Sequence, residues 1–199
     1  VKSYIPYDMK DKLIQPDGNE GVEFLGESMM FFYNTEVFAD PPITNIWELT
    51  EEKYKGKIIM ANPLSSFSTY GFTTALFTHE EKVKQAYQDY SKEELYIPEG
   101  ENAGALFWKK IAANIVFTNS SDEVLEGIGN EGVNGMWIGI MISSKMRYED
   151  RGYHFAPIYQ LNPFAAVYTP NCITIVHDTK NINTSKLFVR FILGEADGT

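Results

Sequence analysis

Residues 57–77 read KIIMANPLSSFSTYGFTTALF, and the order of events along them decides the fold class. Lys57 to Met60 is a short apolar run of strand type. Asn62-Pro63 stops it, because proline has no N–H for a sheet ladder and restricts the residue before it. Ser68 to Phe77 then reads as a helix. A strand, a tight turn and a helix in that order form one half of a parallel βαβ unit. The turn itself is chemically distinctive: Ser65, Ser66, Ser68 and Thr69 place four hydroxyls around Phe67, at the point where the helix starts. Hydroxyls here cap the open N–H groups of a first helical turn. Those same N–H groups, lying at the positive end of the helix dipole, also form a site for an anion.

The pattern recurs on both sides of this stretch. Upstream, Phe24 to Tyr33 reads as a strand ended by Asn34. Downstream, Glu80 to Tyr90 has charged helical spacing, Pro98 to Gly104 breaks it, and Ala105 to Ala113 resumes a helix. Ile115 to Phe117 is a strand closed by Thr118, Asn119 and Ser120, and Ser120 with Glu123 makes the capping-box pattern of a helix through Ile128. Val133 to Ile142 reads as the next strand, and Ser143 or Ser144 as the cap of a helix ending near Gly152. Cys172 to Val176 reads as a strand and Thr184 to Leu193 as a helix with Leu187, Phe188, Phe191 and Ile192 on one face. The class is α/β with mostly parallel strands. Ligands of such sheets lie at the carboxyl ends of the strands, so the two hydroxyl-rich turns are expected at one edge.

Composition excludes several functions. With 17 basic against 27 acidic residues the net charge is −10, and the basic residues are scattered, so no cationic stripe exists for nucleic acid. At 199 residues and 44% hydrophobic, the chain can bury a real core. No stretch approaches the roughly 20 apolar residues that span a bilayer. Cys172, the single cysteine, sits in an apolar run and reads as buried. His79, His154 and His177 have no metal-ligand spacing, and neither a metal nor a cofactor is implied. Gly127 to Gly132 spells GIGNEG, but a helix leads in and a strand follows, the reverse of a dinucleotide-binding turn; the glycines read as a helix end. Glu80-Glu81 and Glu93-Glu94 read as solvated helix faces. No nucleophile elbow or phosphate-binding loop is present. Tyr33, Trp137 and Tyr168 remain as candidate stacking or hydroxyl groups around a ligand. The chain starts at Val1 without a signal segment and reads as an excised piece.

Trp47-Glu48-Leu49, then KYKGKIIMANPLSSFSTYG (53–71), FTNSSDEVLEGIGNEGVNGMWIGI (117–140) and TIVHDTKNINTSKLFVRFILG (174–194), resemble successive signatures of the solute-binding proteins of bacterial ABC importers. These are the type 2 periplasmic binding proteins, in the group that contains ferric-ion, phosphonate and sugar-phosphate binders. The resemblance implies an α/β lobe whose mixed sheet is flanked by helices in a three-layer sandwich, with a first lobe that is incomplete. Residues 1–33 would lead into a crossing strand, 34–155 form the second lobe, and 156–199 return into the first. Apolar flanks left uncovered would pair with a second copy by strand exchange, or repack. The implied function is non-enzymatic: capture of a small anionic solute, phosphorylated or a phosphonate, for a permease in the membrane. The implied location is periplasmic or extracellular, with or without a lipid anchor. Ser66 and Ser68 are then the foremost anion ligands, with Ser65, Phe67 through its backbone, Thr69, Thr118, Asn119 and Ser120 beside them. A ferric carrier using a synergistic anion is the alternative, but the two adjacent tyrosines of that branch match Met141 and Ile142, which offer no phenolate. A third reading, an enzyme lobe acting on a phosphorylated substrate, lacks a nucleophile–base pair.

Overall fold

A computed structural model describes residues 22–130 and 132–194. Its elements are β1 (Val22–Asn34), β2 (Ile58–Ala61), α1 (Phe67–Thr78), α2 (Glu80–Ser91), α3 (Ala103–Ile111), β3 (Ile115–Thr118), α4 (Ser121–Gly129), β4 (Ile138–Ile142), β5 (Phe155–Pro157), β6 (Ala166–Ile173) and α5 (Ile182–Ile192). The sheet order is β3-β2-β4-β1-β5, and β6 also pairs with β1. Strand β2 runs parallel to both β3 and β4, whereas β1 is antiparallel to β4 and β5, so the sheet is mixed.

Alternation along the strands builds the layers, since successive side chains point to opposite faces. Met29, Phe31 and Tyr33 of β1 join Ile58, Met60, Ile138 and Ile140 on one face, where α1, α2 and α3 deliver Phe72, Leu76, Val83, Phe107 and Ile111. Met30, Phe32, Ile59 and Met141 occupy the other face, covered by Val124, Leu125 and Ile128 of α4. Gly139 lets α4 sit close: a Cβ there would lie 2.9 Å from Ile128 Cδ1. A mixed sheet between two helical layers is the architecture the family resemblance implies; the residue pattern alone points to mostly parallel strands, whereas β1 pairs antiparallel with both β4 and β5.

Three local expectations change. The strand expected from Val133 begins only at Ile138, because Gly132–Asn134 forms a 3-10 turn with Gly132 at φ +61, a conformation glycine takes without a Cβ penalty. GIGNEG thus ends a helix, α4 closing at Gly129. Ser143–Arg151 is a 3-10 helix with no side-chain cap; Ser143 Oγ instead accepts the Ser28 N–H at 3.1 Å. The strand expected at 172–176 lies earlier, at Ala166–Ile173, and Cys172 is exposed, not buried. An apolar neighbourhood in sequence fails to bury a residue when no layer of described residues covers its strand.

Two compact units emerge, one Ser28–Val167 and one combining the two ends of the chain. The first contains the whole three-layer core. In the second, of which residues 22–27 and 168–194 are described, α5 buries no residue, and Leu187, Phe188 and Phe191 are all more than half exposed. A groove of about 650 Å³ there is lined by Val22, Ile173, Ile175, Val176, Ile182 and Val189 among others. Most of the segment expected to lead into the crossing strand, residues 1–21, lies outside the described residues. Among those described, no helix is long and apolar enough to cross a membrane.

Candidate functional site

The parallel pairing of β2 with β3 sets Ala61 beside Thr118, so the turns that follow the two strands start side by side. Asn62 N–H donates to Thr118 O at 2.8 Å, and Ser65 Oγ reaches Asn119 O at 3.5 Å. Both hydroxyl-rich turns therefore occupy the carboxyl edge of the parallel strands.

The first turn is wound around Asn62. Its side chain accepts the Leu64 N–H at 2.9 Å, while its carbonyl accepts the N–H of Ser65 at 2.9 Å, the N–H of Ser66 at 3.1 Å and the Ser65 hydroxyl at 3.0 Å. Ser66 is the N-cap of α1, and its Oγ accepts from Thr69 N–H at 3.4 Å and from the Thr69 hydroxyl at 2.9 Å. Thr69 is fully buried, so it holds Ser66 in place from beneath. The N–H groups of Phe67 and Ser68 fall in the first helical turn, where no intrahelical acceptor exists. With the Ser66 and Ser68 hydroxyls they make up to four potential donors within three consecutive residues. No acidic residue stands in this first turn.

The second turn has the same start and a different filling. Ser120 caps α4, accepting Glu123 N–H at 3.3 Å. The Glu123 carboxylate in return accepts from Asn119 N–H at 3.2 Å and from the Ser120 hydroxyl at 3.4 Å. Thr118 Oγ1 donates to Ser120 O at 3.1 Å. Asp122, in the same first turn, pairs with Lys145, whose side chain is largely buried. The cap hydroxyl and the N–H before it are thus engaged by a carboxylate of the chain's own first turn. Lys145 escaped the reading of the sequence, although its place just after β4 at the carboxyl edge is the signal by which it could have been found.

Tyr33 and Trp137 are not brought to this edge. Tyr33 pairs with Ile138, and Ile138 pairs with Ile58, the first residue of β2, so both aromatics sit a strand length away, about 10 Å at the usual rise per residue. Tyr33 is buried in the core, and Trp137 packs edge-on against Phe38 with the Lys57 ammonium 5.4 Å from its ring. Both rings pack at the end of the sheet opposite the turns. Tyr168 belongs to the other unit, where its hydroxyl donates to Glu23; that bond, ahead of burial, raises its pKa above the ordinary tyrosine value. Met141, which stands where a ferric ligand would be expected, is fully buried in the core.

A donor cluster at the carboxyl edge of a mixed sheet is joined by a match in sequence: residues 3–198 fit the bacterial extracellular solute-binding protein family. The chain belongs to that family. No curated protein matches it closely enough to count as a relative. Among solved structures, this solute-binding chain is similar in fold to iron-bound HitA from Pseudomonas aeruginosa, with a TM-score of 0.68 and 10% identity over 98% of this chain and 59% of that one. AfuA from Actinobacillus pleuropneumoniae, with fructose-6-phosphate bound, gives 0.57 and 20% identity over 89% and 50%. The spermidine/putrescine substrate-binding protein PotD from Streptococcus pneumoniae gives 0.58 and 14% over 96% and 53%. The solute-binding chain thus spans between half and three-fifths of the length of these structures.

Proposed function

We propose that the chain is the larger part of the solute-binding component of an ABC importer, and that its solute is a small anion, a phosphate ester or a phosphonate. One observation carries the reading: Ser66, Phe67 and Ser68, consecutive at the start of α1, offer hydroxyl and N–H donors with no carboxylate in the helix turn they open. Hydrogen bonds to a charged acceptor are about twice as strong as neutral ones, and the helix dipole adds to them, so such a turn holds a dianion without lysine or arginine. The overall charge of −10 slows encounter with an anion but does not set the affinity at a local cluster of donors. The solute is passed to a permease at the outer face of the membrane, and no bond in it is broken.

Calorimetric titration and thermal shift of the full-length protein, against fructose 6-phosphate, methylphosphonate, sulfate, putrescine and Fe(III), test this. A phosphate ester or phosphonate at a hundredfold excess over its dissociation constant should raise stability by about 2.7 kcal/mol. Binding of putrescine or Fe(III) alone, with no anion bound, would overturn the proposal.

A further inference from the structure

Between Ser91, where α2 ends, and Ala103, where α3 begins, the chain passes through Glu94-Leu95-Tyr96-Ile97-Pro98 without joining a helix or the sheet. Exposure alternates along it as along a strand: Glu94 and Tyr96 stand out in solvent, the latter 82% exposed, while Leu95 and Ile97 pack against the core. Pro98 contributes, because the residue before a proline is steered out of the helical region into extended conformations. Among the described residues, no hydrogen bond is made by the backbone N–H or C=O of Glu94, Leu95, Tyr96 or Ile97. Four successive residues, anchored by their inward side chains, thus present an unpaired strand edge, the template on which a further strand forms. A groove of about 640 Å³ opens between this segment and α2, lined by Glu81, Lys84 and Gln88 on one side and by Glu94, Tyr96 and Ile97 on the other.

Charge selects what can pair there. Lys84, the one cation among the residues lining the groove, is held by Glu81 at 2.8 Å. Lys92, at the end of α2, donates its ammonium to the Asp89 carbonyl at 2.6 Å. Glu93, Glu94 and Glu99 are exposed along the segment, and none is in an ion pair among the described residues. A second copy of this chain would set glutamate against glutamate, and like charges directly opposite destabilise a strand pair, so the segment is protected from pairing with itself. Opposite charges at those positions are favourable instead. We infer that residues 94–97 take up an extended segment of a partner protein by strand addition, and that this segment carries lysine or arginine at the alternate positions that meet Glu94 and the groove. Backbone pairing supplies affinity and the alternate cations choose the partner. Neither α2 nor residues 94–97 include a residue of the hydroxyl turns, so peptide and solute are separate ligands.

Three peptides test this: acetyl-Lys-Val-Lys-Val-Lys-amide, its counterpart with glutamate in place of lysine, and the lysine peptide N-methylated along its whole backbone, which keeps the charges and removes the N–H donors. In titrations of the full-length protein at low salt, the plain lysine peptide should bind at least about tenfold more tightly than either of the others. At saturation it should slow amide exchange by at least about tenfold at Glu94 and Tyr96 or at Leu95 and Ile97, the pairs that share an edge of a strand. Glu94→Lys, a change at an exposed position, should weaken the lysine peptide and strengthen the glutamate peptide by about three- to fivefold each. No binding of the lysine peptide, or equal binding of its N-methylated form, would overturn the inference, the latter by reducing it to ionic attraction without strand pairing. Equal binding of the lysine and glutamate peptides, or a preference unmoved by Glu94→Lys, would overturn it by removing the charge selection. Exchange left unslowed across residues 94–97 would place any bound peptide elsewhere and overturn it too.

Discussion

Ser66 and Ser120 hold the same position in two βα crossovers: each is the N-cap of a helix that follows a parallel strand, and each accepts the N–H three residues on. One and two places after their first helical residue, α4 has Asp122 and Glu123 where α1 has Ser68 and the buried Thr69. Glu123 folds back onto the Asn119 N–H and the Ser120 hydroxyl, so the cap hydroxyl of α4 is engaged by a carboxylate. No carboxylate stands in the first turn of α1. The two helix starts thus share their cap residue and differ at the second and third residues after it. A carboxylate there stabilises the helix against its own dipole and repels any external anion, whereas hydroxyls leave the dipole for a ligand.

The largest expected effect breaks the contrast from the α1 side. Ser66→Ala with Ser68→Ala removes two charge-assisted bonds, each worth about 1.5–3 kcal/mol, so affinity for the best phosphate ester should fall at least about a hundredfold. Loss of the cap adds a folding cost of about 1 kcal/mol, which a melting curve separates from the loss of binding. Unchanged ester affinity in the double variant, with only a lowered melting point, would reduce Ser66 to a plain cap and make the two helix starts equivalent.

A smaller effect sharpens the contrast by grafting one helix start onto the other. Ser68→Asp puts at α1 the residue type that Asp122 supplies at α4. The added charge should stabilise the helix by about 0.3–1 kcal/mol through the dipole, while ester affinity drops by at least about tenfold because the donor is replaced by a like charge. Opposite signs in the melting point and in the titration are the expected result. A lower melting point with unaltered affinity would mean that the first turn of α1 faces no ligand.

Much of this was legible in residues 57–77. The strand, the Asn62-Pro63 stop and the hydroxyl turn lie within one short window, and the parallel register that brings the second turn alongside follows from the βαβ order. The role of the second turn was not legible to the same depth. Ser120 with Glu123 reads as a capping box in the sequence, and in the structure that box engages the Asn119 N–H and the Ser120 hydroxyl, two of the expected ligand groups. Sequence shows which groups can donate but not which are already taken. Tyr33 and Trp137 lie at the other end of the sheet from the turns for a related reason: an aromatic residue near a strand end carries no sign of which end of the sheet it occupies until the register is known. Cys172 shows the converse, since burial depends on a covering layer that a local apolar run does not supply.

The smallest effect is expected at α4, and it tests whether that helix start is closed by its own carboxylates. Glu123→Ala removes the side chain that accepts from Asn119 N–H and from the Ser120 hydroxyl, at 3.2 and 3.4 Å. These bonds are long and exposed to water, so the cost should be about 1 kcal/mol, near the middle of the range for a lost cap interaction. For a domain of this size that is a fall in melting point of about 2–4 °C. Ester affinity should stay within about twofold of the unaltered protein, because the α1 donors are untouched and hydrogen bonds to neighbouring Asn119 involve its carbonyl rather than Glu123. Stoichiometry should remain at one anion per chain. Asp122 still stands in the first turn and still holds the Lys145 ammonium, so the freed Asn119 N–H and Ser120 hydroxyl remain close to a carboxylate. A second bound phosphate ester in Glu123→Ala would show that a single carboxylate separated the two helix starts, and that α4 is a latent anion site held closed by Glu123.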